Sequence, residues 1–167
     1  MANDLPYPTA TTIKTRPAGQ KSWRVEADIC VAGAGISGIS AALEAARLGR
    51  KVVLVDGLPA LGGQAVNSII GTFCGLFAHG PQRYQFTHGI ADEILNDLGI
   101  TGDLFYRKGP GWTTVFYDEV ALSRWIEKKI VDAGIEIIVG AVIREVAFKN
   151  RRVQGLSLAT RYGDIEL

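Results

Sequence analysis

Ala27-Asp28-Ile29-Cys30-Val31-Ala32-Gly33-Ala34-Gly35-Ile36-Ser37-Gly38 runs from an apolar strand pattern straight into a GxGxxG turn. Each part of the run has a physical task. Gly33 allows the tight turn out of the strand, and Gly35 leaves room for a pyrophosphate against the backbone. Gly38 lets the following helix pack closely on the sheet, while the first-turn N–H groups at Ile36, Ser37 and Gly38 face the phosphates. A second strand pattern, Val52-Val53-Leu54-Val55, ends on Asp56, 23 residues after Gly33. A carboxylate at that spacing accepts the ribose hydroxyls of an adenosine. A glycine motif alone is weak evidence. Between a strand and a helix, with its acidic partner, it specifies a dinucleotide site on an α/β fold with a Rossmann-like βαβ unit.

Asp56 also bears on which dinucleotide binds, because its charge repels a 2′-phosphate and disfavours NADP. Beyond it comes Gly57-Leu58-Pro59-Ala60-Leu61-Gly62-Gly63-Gln64. The doublet Gly62-Gly63 can bring a second stretch of backbone close to the cofactor. With the doublet in place, the chain resembles the two-dinucleotide-binding-domain flavoproteins, through Gly33, Gly35, Gly38, Ala42, Gly49, Asp56, Gly62 and Gly63. Gly-Gly-Gln and the apolar loop behind it are most similar to the FAD-dependent oxidoreductases related to the succinate dehydrogenase flavoprotein and to tRNA-modifying enzymes. The resemblance implies FAD, with the adenosine on Asp56, the pyrophosphate over Gly35 and Gly38, and the adenine against a backbone N–H near Val142. It also implies cofactor contacts around Gly57 and from Gly62, Gly63 and Gln64. Asn67 and Ser68 follow the doublet at a distance suited to hydrogen bonds with the flavin ring or ribityl chain. The chain departs from the family in one respect: a basic residue often follows the acidic one, and the residue present is Gly57.

Composition narrows the remaining classes. The 167 residues are 47% apolar, enough for one domain with a core. With 18 basic and 17 acidic residues the net charge is +1, so no broad basic surface points to nucleic acid or an anionic membrane. Cys30 and Cys74 are the only cysteines, too few for a disulfide framework, and Cys30 reads as a small core residue. The longest apolar-leaning stretch, Ile69 to Ala78, is shorter than the ~20 residues of a membrane span. With no apolar leader, the reading is a soluble protein of a reducing, cytoplasmic compartment.

Residues 1–26 read as an N-terminal arm, and 27–167 as the N-terminal part of an FAD-binding domain with an excursion at 57–117. The pattern gives a first strand at 27–33, an Ala-rich helix at 36–49 and a second strand at 51–56. Residues 64–81 are apolar but broken by Gly71, Gly75 and Gly80, which suits a flavin or substrate lining more than a packed core. An apolar stripe of Phe86, Ile90, Ile94 and Leu98 predicts a helix over 82–98, followed by a long connection over 99–117. Residues 118–133 form the most regular helix, with Leu122, Trp125, Ile126 and Ile130 inside. Ile135–Val139 reads as a third parallel strand buried on both faces, and 141–167 as an antiparallel meander.

The chain closes on a strand-like pattern at Gly163–Leu167, where the resembling family continues into a strand of the same sheet and then a substrate domain. A half-built sheet exposes an edge and an apolar face, so the fold is expected to be incomplete without a second polypeptide. That partner is a separate subunit or the rest of a cleaved precursor, with a truncated chain as the alternative. His79, in the Gly-broken loop, is the catalytic candidate: a base, a substrate ligand or a flavin attachment point, with a solvated loop histidine as the plainer reading. Cys74, His79 and His88 match no standard metal spacing, so no metal is expected. The functional expectation is an FAD-binding subunit of an oxidoreductase acting on a small organic molecule by hydride transfer. An NAD-binding dehydrogenase subunit and a non-catalytic nucleotide-binding assembly subunit are the alternatives.

Overall fold

The structure is a computed structural model and describes residues 22–82 and 84–167. Its centre is a three-stranded parallel sheet of β2 (Ile29–Ala32), β3 (Val52–Asp56) and β7 (Glu136–Val139), in the order β2-β3-β7. Between the first two runs α1 (Ile36–Arg47), whose Ile39, Ala42 and Leu43 are buried. This is the expected βαβ unit. β3 is central and has Val52, Val53, Leu54 and Val55 all buried, whereas β7 buries only Ile138. The expectation of a third strand buried on both faces is therefore corrected. β7 is parallel as predicted, but it lies at the sheet margin, with Glu136 and Val139 exposed.

The excursion holds more structure than its sequence suggests. After α2 (Gln64–Asn67) and β4 (Thr72–Phe73), α3 spans Ile90–Thr101 rather than 82–98. Gly89, at φ 75°, caps it, and the Gly89 N–H donates to Asp92 Oδ2 at 2.9 Å, so the chain enters the helix only there. Phe86 is left outside and exposed, while Ile90, Ile94 and Leu98 are buried as expected. The supposed connection at 99–117 is a hairpin of β5 (Leu104–Gly109) and β6 (Trp112–Tyr117), and β4 pairs with β6 on its other side. Thr113, Thr114, Val115, Phe116 and Tyr117 are β-branched or aromatic, and Pro110-Gly111 turns the chain; that was the strand signal.

α4 (Glu119–Asp132) begins under an Asp118 cap that accepts the Ala121 N–H, and it buries Leu122, Trp125, Ile126 and Ile130 as read. Trp125 is core, and its Nε1 donates to Asp97 Oδ2 at 2.9 Å. Lys129 Nζ lies 3.1 Å from Asp97 and Arg47 2.7 Å from Glu93, so α1, α3 and α4 are linked by charge at their surface. Hydrogen bonds from Trp125 and then Lys129 hold the Asp97 carboxyl below its usual range. A depressed folded value means this contribution is complete above the unfolded carboxylate range and is lost as pH falls through the folded value. Asp97→Asn is accordingly expected to lower the melting temperature at neutral pH and to narrow its fall at acid pH, measured by scanning calorimetry from pH 7 to 2.

The meander is present as β8 (Val142–Lys149), β9 (Arg152–Thr160) and β10 (Gly163–Glu166), antiparallel in succession. The β8–β9 turn at Asn150 and Arg151 has positive φ at both residues, the geometry a two-residue hairpin needs. β1 (Ser22–Arg24) adds to β10 in parallel, so these three residues of the expected arm belong to a sheet; the arm's residues 1–21 lie outside the described residues. Cys30 is half-buried beside Val53, Val55 and Leu158, and burial pushes its thiol pKa up. Among the described residues no helix is long and apolar enough to cross a membrane.

Candidate cofactor site

The glycine turn is built as its sequence demands. Gly33 sits at φ 107°, and its N–H donates to the Val55 carbonyl at 2.7 Å, which fixes the end of β2 against β3. A Cβ on Gly38 would drive into the Gly33 carbonyl oxygen and reach 3.3 Å from Val31 Cγ1, so only glycine lets α1 lie this close to β2. Gly35 differs. It caps α1 at φ −73° and ψ 174°, and a Cβ there would meet nothing within 4 Å. The space over it is open. Among the described residues no side chain caps α1, and the first-turn N–H groups of Ile36, Ser37 and Gly38 have no carbonyl one turn back within the helix. Open space, first-turn amides without a partner in the helix and the positive end of that helix suit a diphosphate.

The doublet packs directly on this turn. The Gly62 N–H donates to the Ala34 carbonyl at 2.8 Å, and Gly35 and Gly62 form a parallel bridge. A Cβ on Gly63, at φ 54°, would lie 2.8 Å from Gly35 Cα. Gly63 is therefore required by contact between two backbone segments, and Gly62, at φ 97°, by its left-handed backbone and the Val66 side chain, into which a Cβ would drive. Asp56 is tied into the same turn. Its Oδ2 accepts the Ala34 N–H at 2.6 Å and its Oδ1 the Leu58 N–H at 2.7 Å, and each oxygen retains a lone pair for a ribose hydroxyl.

Two clefts meet at Ala32 and Gly33. One, of about 320 Å³, is lined by Asp56, Gly57, Ala141, Val142 and Ile143. The other, of about 600 Å³, passes Gly35, Ser37, Gly38, Gly62 and Gln64 to reach Ile70, Phe73 and Tyr117. The sequence candidates Gly33, Gly35, Ile36, Ser37, Gly38, Asp56, Gly57, Gly62, Gln64 and Val142 thus line one continuous path, with Gly63 packed beneath it. Asn67 and Ser68 are not brought to its surface. Asn67 Nδ2 donates to the Leu61 carbonyl at 3.4 Å, and the Ser68 hydroxyl donates to the Gln64 carbonyl, so both side chains are engaged with the backbone of their own segment. His79 is exposed, and the N–H of its neighbour Gly80 donates to the Gly111 carbonyl at the tip of the β5–β6 hairpin. At about 3.4 Å per residue that tip is on the order of 17 Å along β6 from Phe116, where β4 pairs. A separate apolar groove of about 490 Å³ lies between α1 and α3 and meets the second cleft at Ile36, Ser37 and Phe73.

The sequence did not single out Tyr117. It ends β6, is buried, stacks on Phe73 with ring centroids 4.1 Å apart, and forms part of the second cleft. The 64–81 segment divides between the two readings: Ile70, Thr72 and Phe73 line the cleft, while Val66, Leu76 and Phe77 pack against the core.

The FAD dependent oxidoreductase family profile matches residues 28–167. The chain belongs to that family. This flavoprotein's cofactor is FAD, and the open space over Gly35, the first-turn amides of α1 and Asp56 fit it. Among curated relatives, thiamine thiazole synthase of Methanococcus maripaludis (strain C5) is 27% identical over 132 residues, covering 79% of this chain and 46% of the relative. Carotenoid phi-ring synthase of Chlorobaculum tepidum is 36% identical over 94 residues, covering 53% of this chain and 14% of the relative. Among solved structures, Thermovibrio ammonificans THI4 superposes with TM-score 0.57 at 22% identity, covering 84% of this chain and 54% of that one. The Mycobacterium smegmatis Sdh1 complex gives TM-score 0.60 at 16% identity, covering 86% and 33%. At those identities the two structural likenesses establish the fold. The flavoprotein spans about half the length of the thiazole synthase relative that it matches.

Proposed function

We propose that this chain is the FAD-binding portion of an oxidoreductase that oxidises a small organic substrate by hydride transfer to the flavin. The observation that carries the reading is the continuous path from Asp56 and Val142, across the Gly33–Gly38 turn, to Gln64 and Tyr117. FAD bound along it supplies a two-electron acceptor. This chain's own residues do the holding: Asp56 takes ribose hydroxyls, the amides of Ile36, Ser37 and Gly38 take the diphosphate, and the apolar Ile70–Phe73 stretch keeps water from the far end. The relatives' names, a thiazole synthase and a carotenoid ring synthase, describe different products. This supports the view that the substrate is chosen by residues outside this chain, which also supply the proton-accepting base unless His79 does. Asp56→Ala is expected to weaken FAD binding by about 2 kcal/mol, the scale of hydrogen bonds to a charged group. Fluorescence titration checks it, and unchanged affinity would place the ribose elsewhere. To test hydride transfer, the holoprotein is screened against amines, alcohols and acids for anaerobic bleaching of the flavin band. Bleaching with a deuterium isotope effect at the oxidised carbon is the expected result.

We also propose that a further polypeptide segment covers the β2 side of the molecule. Among the described residues β2 pairs only with β3, and the groove beside it is lined by Ile29, Cys30, Ile143, Val146, Val153 and Leu156. Phe148 and Val153 are 76% and 65% exposed on the neighbouring hairpin. Contiguous apolar surface of this kind and an open sheet edge are what a docked segment protects. Residues 1–167 expressed alone are expected to self-associate and to bind FAD weakly, and coexpression with that segment should give a monodisperse yellow complex. A tight-binding monomer in analytical ultracentrifugation would contradict this.

A further inference from the structure

Tyr117 lies 52 residues from Ala65 in the chain, yet its hydroxyl donates to the Ala65 carbonyl at 2.9 Å. Ala65 lies in α2, the helix that follows the glycine doublet directly. The Tyr117 N–H donates to the Gly71 carbonyl at 3.0 Å, so one residue grips both ends of the stretch from α2 to β4. Its ring is held against Phe73 and is buried, and both side chains form the wall of the larger cleft. Ala65, Gln64 and Gly62 line the same cleft from the other side. We propose that Tyr117 is a positioning residue for the cofactor. By fixing α2 from the hairpin, it holds Gln64 and Ala65 in the cleft wall, next to the doublet that packs on the Gly35 turn. Burial first, then the Glu119 charge, raises the phenol's pKa, which keeps it a neutral donor across the physiological range. The grip is long-range, connecting the excursion to the nucleotide turn. A buried tyrosine hydroxyl ordinarily finds a partner; here the partner is the α2 backbone of the cleft wall.

The inference rests on the cleft being the FAD site, so the test separates the two. In the full-length protein, Tyr117→Phe keeps the ring and its stacking but frees the Ala65 carbonyl. Its Kd for FAD is expected to rise about fivefold, the scale of one hydrogen bond. Amide hydrogen exchange in the apoprotein is expected to speed up across residues 62–67 while β3 and α1 amides keep their rates. Faster exchange throughout the molecule, or exchange confined to β6, would mark a merely structural role and overturn the proposal. Gly35→Val is titrated alongside. If it abolishes FAD binding while Tyr117→Phe binds with unchanged Kd, the positioning role is wrong and the site stands; if Gly35→Val also binds normally, the site reading itself fails and the positioning role fails with it. Should Tyr117→Phe not fold, Phe73→Leu loosens the same ring and leaves the hydroxyl. It should raise Kd about twofold with faster exchange at 64–67, and unchanged values in both would overturn the proposal.

Discussion

Gly35→Val is expected to yield a folded protein that retains no FAD. The backbone at Gly35 is in the extended region that valine prefers, and among the described residues a Cβ there meets nothing within 4 Å, so the backbone itself accepts a Cβ. The branched carbons would instead fill the space directly over the first turn of α1, the proposed place of the diphosphate. Circular dichroism and melting should match the parent, while the yellow colour is lost on purification. A folded variant with full FAD occupancy would show that the diphosphate is not held at this turn.

Gly38→Ala is expected to do the opposite first: it breaks the fold locally and loses the cofactor as a consequence. The added methyl runs into the Gly33 carbonyl oxygen, which is backbone and cannot swing aside, and into Val31. α1 must lift away from β2, and overpacking of this kind costs about 3 kcal/mol, or about 10 °C in melting temperature for a chain of this size. Calorimetry of the apoprotein reads it without any ligand. The two glycines, three residues apart, thus separate the part of the motif that serves the ligand from the part that serves helix packing. Equal melting temperatures for both variants would contradict that division.

How much of this was legible in the chain follows from how local each constraint is. Gly33 and Gly38 were readable because each meets a backbone requirement within a single turn, Gly35 because its place in the same motif marks a close approach, and Asp56 because a strand end fixes its place. The role of Gly62-Gly63 was only half legible: the doublet announced close backbone approach, but its partner, Gly35, is 27 residues away and invisible to periodicity. The β5–β6 hairpin was missed because Gly109-Pro110-Gly111 reads as loop and masked the β-branched run after it. Helix α3 was placed too early because Phe86 continues an apolar stripe that the Gly89–Asp92 cap interrupts. Strand β1 could not be foreseen at all, since its pairing of Ser22 with Asp164 spans nearly the whole chain. Tyr117 was missed for the same reason, its partners Phe73 and Ala65 lying on another segment.

The proposed course of FAD runs from Asp56 over the glycine turn to Gln64 and Tyr117. A crystal structure of the full-length protein grown with FAD tests it most directly. The expected density shows diphosphate oxygens about 2.7–3.2 Å from the amides of the first turn of α1, and a ribose hydroxyl on Asp56. Density for the cofactor in the groove between α1 and α3, with the glycine turn contacting nothing, would contradict the account.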